Sequence, residues 1–304
     1  MGGRTSIGYG SGSQGVGASV VAGVWLVQLS CRGRKMNKAL YLAMLKHHGN
    51  TTAGYSIGIV LYEFLVTWVY PMIAKSPLLT EIPKSFPSSV KSVFGVVSLD
   101  DSDTSYEAYI SAQLFGRIWT LVMALYTINT ATALLAELSE HGFLAYPLSA
   151  PLSRQKLLAT QAQVLLTGVG AVTGSTIAGL CVAAKVFGIK IDPWLYLRTG
   201  LLGFCFFSTV AGYSMLFSAL CDTKEQAMRR AGALTCGFYA CDVLAELHEN
   251  LAWVEVFTLF KFFRPELVLT GENSGTAESI ILSVLTMALF SMSGAVFARK
   301  DLLV

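Results

Sequence analysis

The sequence predicts an all-α, polytopic membrane protein of six transmembrane helices, with an N-terminal amphipathic helix and a short surface helix between the second and third spans. Three observations predict it. Hydrophobic residues make up 53% of the chain and charged residues only 13%, with a mean hydropathy of +0.56, which is too apolar for an ordinary soluble domain. Apolar runs of the roughly twenty residues that a bilayer core demands recur along the chain. Short polar or aromatic links separate them, as expected at membrane surfaces.

Residues 1–35 differ from the rest. Gly, Ser and Gln dominate the beginning, and the apolar patch Val16–Ser30 is too short for a comfortable span. Its basic residues Arg32, Arg34 and Lys35 follow the patch, whereas a signal peptide puts them first. Met36 therefore reads as the natural start, leaving 1–35 as a disordered or extraneous segment and 36–304 as the six-span domain. From Lys38 to His47, Leu40, Tyr41, Met44 and Leu45 recur at helical spacing beside Lys38, Lys46, His47 and His48, the pattern of an interfacial helix.

The first span follows from Thr52 to Ala74, with Trp68 and Tyr70 as an aromatic belt. A polar loop containing Asp100, Asp101 and Asp103 leads to the second span, Ile110 to Ala136. The third runs from Leu157 to Val186 and carries Gly170, Gly174 and Ala178, with Gly168 and Gly179 alongside, residues small enough to admit a second helix closely. The fourth covers Trp194 to Ala219 and the fifth Ala231 to Leu251. The aromatic segment Ala252 to Thr270 is broken by Arg264, Pro265 and Glu266 and reads as interfacial or re-entrant. A Gly/Ser turn precedes the last span, Glu278 to Ala298.

The chain is organised around the link from Glu137 to Arg154. Glu137 and Glu140 fall at the C-terminal end of an apolar helix, where the helix dipole disfavours each carboxylate by about 0.3–1 kcal/mol, so a local compensating group is expected. Gly142 is suited to ending that helix, Phe143 to Leu148 to forming a short surface helix, and Pro151 with Ser153 to starting the next span at Arg154.

These residues, Ala136, Glu137, Glu140, Gly142, Leu144, Pro151, Ser153 and Arg154, resemble the Ala-x-Glu, Glu-x-Gly-x-Leu and Pro-x-Ser-Arg pattern of type 2 ABC transporter permeases. Phe143 departs from it, standing where such permeases often carry Thr or another small polar residue. The tail Arg299-Lys300-Asp301-Leu302 is similar to their Arg-Asp-Leu ending. The resemblance implies that Phe143 to Leu148 is a coupling helix docking on a separate ABC ATPase subunit, with Glu137, Glu140, Gly142, Leu144, Leu148, Pro151 and Arg154 serving that coupling. It further implies an exporter working with a second permease subunit, as a homo- or heterodimer. This chain would hold no cofactor and catalyse no reaction itself, ATP and Mg being held by the partner ATPase.

Six spans put both termini on one side, and Lys and Arg are more numerous on the side that also holds the Glu137–Arg154 link. That places the link and both termini in the cytoplasm and the chain in the plasma membrane. Within the spans, Glu63 and Asp242 are costly in lipid, at least about 2.5–3.5 kcal/mol each on insertion scales, and so are candidates for a substrate pathway or for hydrogen bonds between helices. Arg117, Lys185 and Arg198 stand where their charges can snorkel to the surface.

Other chemistries are disfavoured. The four histidines lie apart and the six cysteines lie singly without CxxC spacing, so neither a metal site nor a disulfide is expected. No phosphate loop or nucleophile elbow occurs. A net charge of +3, dispersed, gives no nucleic-acid footprint. The rival readings are a proton-coupled secondary transporter using the intramembrane carboxylates and a non-transporting assembly or immunity protein on the same fold.

Overall fold

A computed structural model describes residues 38–74, 106–137, 140, 154–247, 253–254 and 258–299. The expected segment 1–35 and the surface helix Phe143 to Leu148 lie outside the described residues. No strand occurs among those described, and five helices are long and apolar enough to cross a membrane, consistent with a multi-pass membrane protein.

Helix α1, Lys38–Ala74, is continuous: the segments expected as an interfacial helix and a first span form one rod. At 1.5 Å per residue it is about 55 Å long, far beyond the roughly 30 Å of a bilayer core. Its stripe Ile57, Leu61, Leu65, Trp68 and Met72 stays exposed and apolar, as suits a face turned to lipid.

A second rod is assembled from α2 (Tyr106–Ile110), the wide-turned π segment Ser111–Ile118, α3 (Trp119–Thr132) and a second π segment, Ala133–Glu137. The junction residues Ile110, Ile118 and Ala133 keep right-handed helical dihedrals, so the rod does not break. In the first wide turn the Thr120 hydroxyl donates to the Phe115 carbonyl at 2.6 Å.

Helix α4 spans Arg154–Val186 and α5 spans Pro193–Leu220, within three residues of the expected third and fourth spans. Between them Gly188, at φ 69°, closes α4 with Ile189 N–H donating to Ala184 O and Gly188 N–H to Lys185 O. This is the Schellman pattern, which needs a left-handed residue and so favours Gly. Asp192 then caps α5 by accepting from Trp194 N–H, with Pro193 at the first helical position.

Helix α5 is the axle of the bundle. It packs against α3, α4, α6 and α8, and 78% of its most apolar window is buried, against 22% for α1 and α8 at the periphery. Helix α6, Lys224–Leu247, begins seven residues before the expected fifth span, Ala231 to Leu251, and does not reach the hydropathy of the other five, because Lys224, Glu225, Arg229 and Arg230 lie near its start and Asp242 and Glu246 near its end.

The aromatic segment after α6 folds back into the protein. A 3₁₀ turn, Leu259–Phe262, is held by Thr258, whose hydroxyl donates to Phe238 O of α6 and accepts from Phe260 N–H. Phe263 stacks on Phe206 at 4.9 Å and on Trp119 at 6.0 Å between ring centroids. Phe206 lies about 20 Å along α5 from its start, so the segment penetrates to mid-bundle and is re-entrant rather than interfacial. Helix α7 (Pro265–Leu269) and a turn through Gly271 and Gly275 lead to α8, Thr276–Arg299.

A candidate coupling platform at one end of the bundle

The ends of the helices gather into two opposite groups. At one end Leu40 of α1, Leu135, Leu157 of α4, Ala219 of α5 and Phe297 of α8 share one apolar cluster. At the other, Tyr70 packs edge-on to Tyr106 at 5.1 Å, and the Thr67 hydroxyl bonds that of Tyr106 at 2.8 Å. The residues flanking the Glu137–Arg154 link belong to the first end, Leu135 before it and Leu157 after it.

Among the described residues, three polar ties join the residues around the link to α4, α5 and α6. The wide turn at Ala133–Glu137 leaves backbone groups available to side chains. Leu134 O accepts from Gln161 Nε2 of α4 at 2.5 Å, and Ala136 N–H donates to Ser218 Oγ of α5 at 2.9 Å. Both ties are buried, where each hydrogen bond is costly to leave unmade. The third is at the surface: the Glu140 carboxylate accepts from Lys224 N–H, the first residue of α6, at 2.9 Å.

That last bond supplies the compensation the sequence demands. Glu140 is unfavourable beside the C-terminus of its own helix, yet it sits on the N-terminus of another, where unpaired N–H groups and the positive end of the dipole favour an anion. Thr223 completes the cap by accepting from Gln226 N–H at 3.3 Å. Below it Ala136, Cys221 and Ala227 pack as a small buried group.

Of the residues expected to serve coupling, Glu140 stands on the platform, the backbone of Glu137 ends the second wide turn, and half-buried Arg154 begins α4. Gly142, Phe143, Leu144, Leu148 and Pro151 lie outside the described residues. Gln161, Ser218 and Thr223 were not singled out from the sequence. An amide in an apolar run was the signal for Gln161; Ser218 and Thr223 looked like ordinary residues near helix ends.

Glu63 and Asp242 are not brought together within the chain. Glu63 is fully buried in the seam between α1 and α4, its Oε2 so close to Gly179 that a Cβ added there would collide with it. Neither of its oxygens has a hydrogen-bond partner among the described residues. Thr176 stands beside it, but the threonine's one hydroxyl proton goes to Val172 O at 3.1 Å, while its oxygen accepts from Trp119 Nε1. Asp242 is half-buried on α6, which packs on α5 and α3 rather than on α1. The small-residue face of α4 is likewise divided: Gly168 and Gly179 seat Tyr126 and Glu63, Gly170 meets Phe204, and Gly174 faces open space.

Among the described residues no group of three or more His, Cys, Asp or Glu side chains is arranged to hold a metal ion. Compared with known proteins, the chain matches no family model and no curated protein.

Proposed function

We propose that this chain is the membrane-spanning permease subunit of an ABC exporter, driven by ATP that a separate partner subunit hydrolyses. The observation that carries the reading is the Glu140 bond to Lys224, which joins the link bearing the permease-like motif to the start of α6. A push on that link reaches α4 through Gln161, α5 through Ser218 and α6 through Glu140, so three helices would move as one block. In this reading α6 is the fifth span and completes the six, its weakly apolar faces covered by a second permease subunit, and both termini lie in the cytoplasm.

Nucleotide-driven closure of two ATPases would press on the surface helix and tilt these rods, changing the side of the membrane to which the shared central surface opens. Glu140→Ala and Gly142→Pro are expected to lower recovery of the ATPase subunit on co-purification while the permease still inserts. Wild-type recovery by both variants overturns the reading.

The buried, unbonded carboxyl of Glu63 favours a second reading, a proton-coupled secondary transporter. Transport that follows a proton gradient, survives loss of every ATPase and disappears in Glu63→Gln would select it.

A further inference from the structure

Between α1 and the rod containing α3 runs a groove of about 570 Å³. Gly54, Tyr55, Gly58 and Tyr62 form its α1 wall, and Leu114 and Trp119 stand opposite. The wall exists because of the two glycines: a Cβ added at either would meet nothing within 4 Å. Beside the groove, Leu61 and Leu65 of α1 and Leu121 and Leu125 of α3 are exposed and apolar, so it opens onto the surface that faces lipid.

The end of the groove is chemically different from its body. Asn50 and Thr51 line the groove at that end, and Lys46 and His47 stand about one turn further along α1. Lys46, His47 and Asn50 are exposed. Trp68, in the aromatic belt, and His48 are about 30 Å apart along α1, the thickness of a bilayer core, which puts Lys46 and His47 at headgroup level.

We infer that this groove binds one anionic phospholipid of the leaflet that meets the N-terminal end of α1, an acyl chain lying along Gly54 and Gly58 and the acidic headgroup against Lys46 and His47. Charge complementarity selects the lipid over a second copy of the chain, whose matching end would bring the same cations together. The inference rests on α1 crossing the membrane and not on the permease reading, which survives its failure.

The test is native mass spectrometry of the purified full chain supplied with an equimolar mixture of phosphatidylglycerol and phosphatidylcholine. A single retained phosphatidylglycerol is expected, preferred by about fivefold or more, the worth of one basic side chain near an anionic surface. Gly58→Leu, which fills the groove from a position with space for it, is expected to reduce phosphatidylglycerol retention to the level of phosphatidylcholine without lowering the thermal midpoint. Gly54→Leu is the second variant should Gly58→Leu fail to fold. Lys46→Gln is expected to keep a bound lipid and lose the preference. Equal retention of the two lipids by the unaltered chain, or unchanged retention in the folded leucine variant, overturns the inference. Loss of self-association with unchanged lipid retention also overturns it and gives the groove to a second copy.

Discussion

Gly179 and Thr176 show how much of the bundle rests on single atoms. A methyl group at Gly179 would collide with Glu63 Oε2 and lie 3.0 Å from Val60 Cγ2, so a larger side chain must force α1 away from α4. Gly179→Val is expected to destabilise the protein by about 1–3 kcal/mol. Gly174→Val, at a position where an added Cβ meets nothing, is expected to be neutral; thermal unfolding of the two purified variants checks the contrast. Thr176 accepts the buried Trp119 indole N–H at 2.9 Å, so the similarly shaped Thr176→Val leaves that donor unpaired. A loss of about 1–3 kcal/mol in the same measurement is expected. Neither effect was legible in the sequence, where Gly168, Gly170, Gly174 and Gly179 formed one undivided small-residue face; only the neighbours sort them.

The element that departs most from a simple row of spans is the re-entrant segment Leu259–Phe262 and the residues around it. Its apolar content and its interruption at Arg264–Glu266 were readable in advance, but its depth was not. Depth is set by two contacts remote in sequence, the Thr258 bond to Phe238 O and the stacking of Phe263 on Phe206. Phe263→Ala removes aromatic pairs worth about 0.5–1.5 kcal/mol each. The expected result is local release, seen as faster tryptic cleavage after Lys261 while the five apolar helices keep their circular dichroism. Cleavage at the unaltered rate would show that Thr258 alone holds the segment. Helix α6 makes a related point: it starts seven residues before the expected span, and its weak hydropathy leaves its relation to the membrane to its neighbours.

At the scale of the molecule, the Lys224, Arg154, Lys38 and Arg299 ends of four helices lie at the end of the bundle that carries the Glu137–Arg154 link. With cytoplasmic orientation, Glu140→Cys, in a chain whose six native cysteines are replaced, is expected to resist a membrane-impermeant maleimide in intact cells and to react in inverted vesicles. Labelling from outside the intact cell would reverse the orientation and remove the platform from any cytoplasmic ATPase. The expected side rests on the basic residues, because the membrane sorts charge along the chain. Which links touch was not, because that depends on helices separated by most of the sequence.

The sequence by itself determined that the chain is helical and apolar, where α4, α5 and α8 begin and end, and that Glu140 needed a compensating partner. Those are local properties: hydropathy, caps and the dipole of one helix act within a few residues. Tertiary structure alone decided that the partner is the start of α6, that Glu63 is sealed against Gly179 rather than facing Asp242, and that a groove opens beside Gly54 and Gly58. Each depends on which helices become neighbours, and in a bundle that choice is made by surface shape and by a few hydrogen bonds across long sequence separations.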